Sequence, residues 1–445
     1  MSFPRYPAYK DSGVDWLGEV PNHWSVCRLR WLARRYSGGT PDKRNLAYWK
    51  DGTIPWLNSG AVNDRLIREP STYITAEAFK NSSAKWIAEG ALVMALAGQG
   101  KTKGMVAQLA IPATCNQSMA AIVAGSEIVS RFLYWWLDTN YQNIRNMAGG
   151  DLRDGLNLEL LGDIPCPLPP APEQTAIAAF LDRETAKIDA LVAEQRRLIE
   201  LLKEKRQAVI SQAVTKGLNP DAPMEPSGVE WLGDVPAHWM VTPIGHLCDA
   251  ISYGFTNPMP TTEEGPYLLT ANDIGDGRVK YETARRTSYD AFLNELTEKS
   301  RPKKNDLLIT KDGTLGRVAL HEGQEACINQ SVASLRVKPA AILPEFMAAC
   351  LLAGVYQSRM IYDAGGTTIK HIYISRLAKM AVTYPSLSEQ VAILAFLEDE
   401  LAKFDSLVDE TRRAVDLLQE RRAAMIFAAV TGQIDVRGLV KSEAA

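Results

Sequence analysis

A stretch of 43 residues that begins at Glu173 returns at Glu389 with 25 of 43 positions identical and no gap. In the first copy Ile177, Leu181, Glu184, Ile188, Leu191, Gln195, Leu198, Leu202, Lys205 and Val209 follow alternating steps of four and three. The second copy keeps that register at Ile393, Leu397, Glu400, Phe404, Leu407, Thr411, Ala414, Leu418, Arg421 and Met425. A 3.5-residue apolar period sustained over this length predicts a long helix with a coiled-coil seam. At about 1.5 Å per residue each copy spans roughly 60 Å, well beyond the helices of ordinary globular cores. A seam needs a partner face, and the duplication supplies one within the same chain.

The rest of the chain is duplicated as well, at a period far too long for a solenoid. SGVDWLGEVPNHWSV from Ser12 returns as SGVEWLGDVPAHWMV from Ser227, with 11 of 15 positions identical. Between this motif and the helix the landmarks keep their order, although the sequences diverge. ATCNQSMAAI from Ala113 answers to ACINQSVASL from Ala326, and AGGDLRDGLN from Ala148 to AGGTTIKHIY from Ala364. Short apolar runs at 92–96, 105–109 and 307–310, set between Gly, Asn and Asp, read as strands; 132–137 and 346–352 read as short helices. The pattern predicts an α+β protein with pseudo-twofold internal repetition. Two similar mixed α/β domains, 1–165 and 219–383, alternate with the long helices 166–218 and 384–435, and 436–445 form a tail. If the helices pair, the order domain, helix, domain, helix makes them antiparallel, with one domain at each end of a two-helix spacer.

Composition narrows the chemistry. No apolar run reaches the roughly 20 residues of a membrane span, and the first residues lack the basic-then-apolar pattern of a signal peptide, so a cytoplasmic protein is expected. Six cysteines are scattered without a CxxC pair, which reads as reduced thiols and no metal site. The net charge of −3 means that any nucleic-acid contact must rest on local basic patches.

The layout and motifs resemble the specificity subunit of type I restriction–modification systems. The matching pieces are DSGVDWLGEVPNHW, PLPPAPEQTAIAAFLD with KIDALV, the NQS motifs at Asn116 and Asn329, and EQVAILAFLEDELAKFDSLV. The resemblance covers nearly the whole chain. It implies two target-recognition domains, each reading one half of a split double-stranded DNA sequence, and long helices that set the gap and dock two methyltransferase subunits. Restriction subunits would join through that complex. The chain itself would be non-catalytic and would need no cofactor. Two readers on one face of B-DNA sit about one helical turn apart, roughly 34 Å, so a fixed spacer leaves the base pairs between half-sites unread. Divergent domains imply unlike half-sites.

Two rival classes are weighed. AGQGKT, Ala97 to Thr102, lacks the first glycine of a P-loop, and its counterpart KDGTLGRV lacks the GK pair, which argues against nucleotide hydrolysis. No Asn/Asp-Pro-Pro-aromatic methyltransferase motif is present. A coiled-coil adaptor with protein-binding domains is the other rival. For DNA contact, Lys101 and Lys103 in one glycine-rich loop, and Lys311 and Arg317 in its counterpart, suit phosphates. Lys303 and Lys304, in a basic run with Lys299 and Arg301, suit phosphates too, or a solvated turn. Arg28, Arg30, Arg34 and Arg35 share that ambiguity. Residues that differ between the halves are the specificity candidates: Lys43, Arg44, Trp49, Arg153, Lys370 and His371. Asn116 and Gln117, shared with Asn329 and Gln330, read as loop supports, and His23 and His238 as parts of a structural turn. The first domain carries 18 basic against 15 acidic residues and the second 16 against 19. Tight binding is therefore expected to draw phosphate contacts from the partner subunits.

Overall fold

The computed structural model describes residues 3–98, 101–147, 155–365 and 370–439. Mixed α+β architecture appears in both repeats, and the chain divides into two compact units. One comprises Met1–Gln195 with Ala414–Ala445, the other Arg196–Arg413. No helix among the described residues is long and apolar enough to cross a membrane.

In the first unit the buried runs form a five-stranded sheet in the order Ala33–Ser37, Met119–Ala124, Leu92–Ala95, Val106–Leu109, Leu66–Ile67. A three-stranded sheet orders Thr114–Cys115, Ile54–Leu57 and Thr72–Ile74 beside it. Leu92–Ala95 is buried at every position, as a central strand covered on both faces must be. Ser130–Thr139 is a helix whose FLYWWL run is entirely buried against the sheet.

The second unit repeats the plan with Cys248–Tyr253, Val332–Val337, Leu307–Thr310 and Val318–Leu320 in one sheet. Arg285–Arg286, Thr262–Leu269 and Ala326–Ile328 form the other, and Pro344–Leu352 is the corresponding helix. The expected strands and short helices thus form where the apolar runs fall.

The repeated HW and EQ motifs meet at the start of each long helix. Trp24 Nε1 donates to Glu173 Oε1 at 3.0 Å, and His23 Nε2 lies 2.9 Å from Glu173 Oε2. The second copy reproduces both contacts, Trp239 to Glu389 at 3.1 Å and His238 to Glu389 at 2.9 Å. The adjoining glutamine closes the joint from the other side. Gln174 accepts from Val129 N and donates to Glu127 O and Pro169 O; Gln390 accepts from Leu343 N and donates to Ala341 O and Pro385 O. Both histidines are structural, as the repeated turn predicts.

The long helices are Ala171–Lys216 and Leu387–Val430. In the first unit Ile177, Leu181 and Ile188 share a core with Val415, Met425, Ile426 and Val430. In the second, Ile210 and Val214 share one with Ile393 and Leu397. Within each unit, then, the start of one helix lies against the end of the other. An Asp and an Arg from each helix mark this antiparallel register twice, Asp189 with Arg422 at 2.9 Å and Arg206 with Asp405 at 3.6 Å.

The seam differs from the expected one at every second position. Leu181, Ile188, Leu202, Phe404 and Leu418 face inward, but their intervening partners are Thr185, Val192, Ile199 and Arg206, then Val408, Val415 and Arg422. Leu191, Leu198 and Leu407 fall one residue outside this line and are 45%, 41% and 46% exposed. Both frames alternate four and three and share alternate members, so periodicity alone does not separate them. Helix pairing selects the frame that brings Arg206 and Arg422 to their aspartates. Val192→Ala is expected to cost about 1–2 kcal/mol and Leu191→Ala under about 0.5 kcal/mol, the reverse of their side-chain sizes. Thermal unfolding of the two variants checks the ranking.

Candidate nucleic-acid interface

Each unit builds its variable loops on the same crossing point. The strand Ala33–Ser37 runs into Gly38, where a Cβ would stand 1.9 Å from the Cys115 carbonyl oxygen. In the second unit a Cβ on Gly254 would stand 1.7 Å from the Ile328 oxygen. Only glycine permits this approach. Directly after it Gly39 N donates to Cys115 O at 2.9 Å, and Phe255 N to Ile328 O at 3.1 Å. The next residue on the opposing chain is the asparagine of the NQS motif. Asn116 Oδ1 accepts from Ser118 N and Asn329 Oδ1 from Ser331 N, both at 3.1 Å, closing a local turn. Their own amides donate to Leu57 O at 3.0 Å and Leu269 O at 3.1 Å. The shared asparagines therefore hold the loop, while Gln117 and Gln330 stand exposed at its tip.

In the first unit this crossing opens a cleft of about 450 Å³ lined by Thr40, Lys43, Leu46, Trp49, Trp56, Asn58 and the Asn116–Ser118 turn. Trp49 packs edge-on against Trp56 with centroids 5.1 Å apart, and its Nε1 donates to Asp42 O at 3.2 Å. Trp56 Nε1 donates to Gly39 O at 3.0 Å, so both indoles are fixed to the loop backbone. Thr40 Oγ1 donates to Gln117 Oε1 at 2.5 Å, leaving the Gln117 amide nitrogen as a donor at the rim. Arg44 grips its neighbour Asp42 at 3.2 Å, a fully solvated pair that leaves the guanidinium accessible. Lys43 and Trp49 thus meet Gln117 at one concave mouth, whereas Arg44 is not part of its lining. Three side-chain amides, an ammonium and two indole rings suit the donor, acceptor and methyl pattern of base edges in a groove.

The other candidates of this unit are dispersed. Lys101 is exposed, and its carbonyl accepts from Tyr141 Oη at 2.5 Å. Lys103 is buried, only 4% exposed. Arg153 lies outside the described residues, as do residues 99–100 of the AGQGKT loop. Arg28 at 2.9 Å and Arg30 both engage Asp163, and Arg35 donates to Leu29 O and Ala33 O, so these three brace the first domain's start.

In the second unit Asp312 joins two candidates that are far apart in sequence. It pairs with Lys311 Nζ at 3.0 Å and receives His371 Nδ1. Lys311 and Lys299 each place an ammonium 5.6 Å from the centroid of Tyr253, the last residue of the strand before Gly254. Tyr253 was not legible as a site residue, because it belongs to neither a basic run nor an aligned motif, and neither was Asp312, which lies inside the aligned KDGTLGRV loop but is acidic. Lys370 is exposed beside His371. Lys303 and Lys304 are exposed on the turn that Asp306 closes by accepting from Lys303 N at 2.8 Å. Arg317 Nη1 lies 3.5 Å from Ile274 O and bends back over its own sheet. Arg301 is spent on the carbonyls of Leu293 and Leu296 at 2.8 and 2.7 Å.

The model of the type I restriction modification DNA specificity domain matches twice, at residues 21–201 and 236–412. The chain belongs to that family. Among curated members, the EcoBI specificity subunit of Escherichia coli is 26% identical over 435 residues, covering 95% of this chain and 89% of that protein. The MjaIX specificity subunit of Methanocaldococcus jannaschii is 24% identical over 452 residues, covering 95% and 96%. Two solved structures share the fold at 17% identity. One, from work on complex assembly and conformational transition of the type I R-M system, superposes with a TM-score of 0.72 over 92% of this chain and 98% of its own. The HsdS subunit of Thermoanaerobacter tengcongensis gives 0.53 over 93% and 98%. Each family-model match starts at or beside the HW turn and runs into a long helix, so the family's unit is the repeat itself.

Proposed function

We propose that this chain is the DNA-specificity subunit of a type I restriction–modification complex and that its two repeats read the unlike halves of a bipartite target. The observation that carries the reading is the pair of family matches on two units whose supporting turns are the same and whose loop residues differ. Gln117 with Lys43 and Trp49 in one unit, and Lys311, Lys370 and His371 with Tyr253 in the other, are the base-edge candidates. Lys101, Lys303, Lys304 and Arg44 are assigned to the DNA backbone, and the methyltransferase subunits supply further phosphate contacts. On this reading 1–165 and 219–383 are the target-recognition domains, and the long helices are the spacer on which two methyltransferase subunits dock. Restriction subunits join through that assembly. Modification chemistry belongs to the partners, and the complex works in the cytoplasm.

The test is co-expression with the neighbouring methyltransferase and a genome-wide map of methylated adenines. A single split motif with a constant gap is expected. In Gln117→Ala with Lys43→Ala, one half-site should relax by roughly 5- to 150-fold, the worth of about 1–3 kcal/mol for a good base contact, while the other half-site stays unchanged. Methylation that does not depend on this chain would favour a protein-binding adaptor instead.

A further inference from the structure

The two units differ at one place where the repeat predicts likeness. In the first, Phe180 of the long helix is 2% exposed. The ring of Phe3 meets it edge-on at 5.6 Å, and Leu439 from the other end of the chain packs on the same core. Arg183 fixes that tail by donating to Leu439 O at 3.2 Å. The Phe180 ring is thus roofed by two segments, one from each end of the chain.

The matching phenylalanine of the second unit, Phe396, lies 216 positions on and is 39% exposed. The walls of its surroundings are preserved. Met425, Ile434 and Val436, which share the core of Phe180, correspond to Val209, Leu218 and Pro220, which line one groove with Phe396. The roof is not. The chain passes directly from the first long helix through Gly217 to the strand Met224–Pro226, so one short connection stands where the first unit has two segments. What remains is an apolar groove of about 650 Å³, with Lys205 and Gln212 at its edge and Leu218 42% exposed.

We propose that this groove binds an extended segment of another polypeptide that presents a phenylalanine side chain, in the manner in which Phe3 covers Phe180. The duplicate site defines the ligand chemistry: one aromatic ring set edge-on to Phe396. Because the first unit covers its own copy, the described residues of each chain offer one such groove rather than two. The docking is therefore asymmetric on an otherwise repeated protein. This inference does not depend on DNA recognition.

The probe is a synthetic peptide of residues 2–9 of this chain with 4-fluorophenylalanine at the position of Phe3, titrated into the full chain and followed by ¹⁹F NMR. Saturable binding at one peptide per chain is expected. Ala208→Trp, which fills the groove, and Phe396→Ala, which removes the ring partner, should each weaken binding at least tenfold. Both changes lie at exposed positions, and unchanged thermal unfolding verifies that the variants are folded. A peptide with alanine in place of the fluorophenylalanine should not bind. Absence of binding at millimolar peptide, or binding untouched by both variants, overturns the proposal. Concentration-dependent self-association of the chain that Phe3→Ala abolishes would also overturn it, since the occupant would then be a second copy. The two readings fail separately: this one fails if the peptide does not bind the groove, the recognition reading if methylation does not depend on this chain.

Discussion

Gly38→Ala is expected to disable one half of target recognition and leave the other intact, and Gly254→Ala to do the converse. The added carbon would stand 1.9 Å from Cys115 O in one unit and 1.7 Å from Ile328 O in the other. Both obstacles are backbone atoms of a buried strand, so no side-chain rotation relieves them. The chain must give up the crossing at which Gly39 N meets Cys115 O and Phe255 N meets Ile328 O. Overpacking of this kind typically costs 1–3 kcal/mol, and the rigid backbone places these cases at or above about 3 kcal/mol. Loss of the crossing displaces the loop that carries Lys43 and Trp49, or the strand end that carries Tyr253, away from the NQS turn. With the methyltransferase co-expressed, the methylation map should become degenerate on one side of the gap only. Gly438→Ala, where an added Cβ meets nothing within 4 Å, is the control and should change neither the map nor the melting temperature. A map unchanged in Gly38→Ala would show that the crossing does not support the reading loops.

These positions show what the sequence could disclose. Motifs that occur twice were legible because each performs one mechanical task at two places: HW clamps a glutamate, EQ locks a helix start, and NQS closes a turn. A duplicated residue therefore pointed to structure; Asn116 and Asn329 satisfy that inference in their hydrogen bonds, whereas Gln117 and Gln330, equally duplicated, stand exposed. The seam was legible in period but not in phase. Leu191, Leu198 and Leu407 are more apolar than Thr185, Arg206 and Arg422, which occupy the inner line through ion pairs and partner shape. Side-chain direction was illegible where it is set by a distant element. Lys103 is buried although its neighbours are glycine and threonine, and His371 is drawn to Asp312 across 59 residues. The gathering of Lys43, Trp49 and Gln117 into one cleft likewise depends on the crossing at Gly38, a tertiary fact.

Glu173→Ala should be the most damaging single change in the helix supports, and more damaging than the same change at Glu389. Glu173 is 5% exposed and accepts from Trp24 Nε1, from the Tyr6 hydroxyl and at His23 Nε2. Trp24 is fully buried, so truncation strands an indole N–H and a phenol O–H away from water. Burial, reinforced by the hydrogen bond to Glu173, already pushes the Tyr6 phenol far above its ordinary pKa, so it remains a donor throughout the accessible pH range. Two orphaned buried donors at about 1–3 kcal/mol each put the loss at roughly 2–6 kcal/mol. At Glu389 the side chain is 31% exposed, the indole is its one buried donor among the described residues, and water can replace the histidine contact. There a loss of about 1–2 kcal/mol is expected. For units of this size each kcal/mol moves the melting temperature by about 2–4 °C. Unfolding of the Glu173→Ala chain should therefore resolve an early transition of the first unit, while Glu389→Ala shifts the second only slightly. Glu173→Gln retains an oxygen for Trp24 and should recover about half the loss. Equal melting shifts at the two glutamates would mean that the clamp acts through the helix start in general, and that the Tyr6 and Trp24 donors find other partners once the carboxylate is gone.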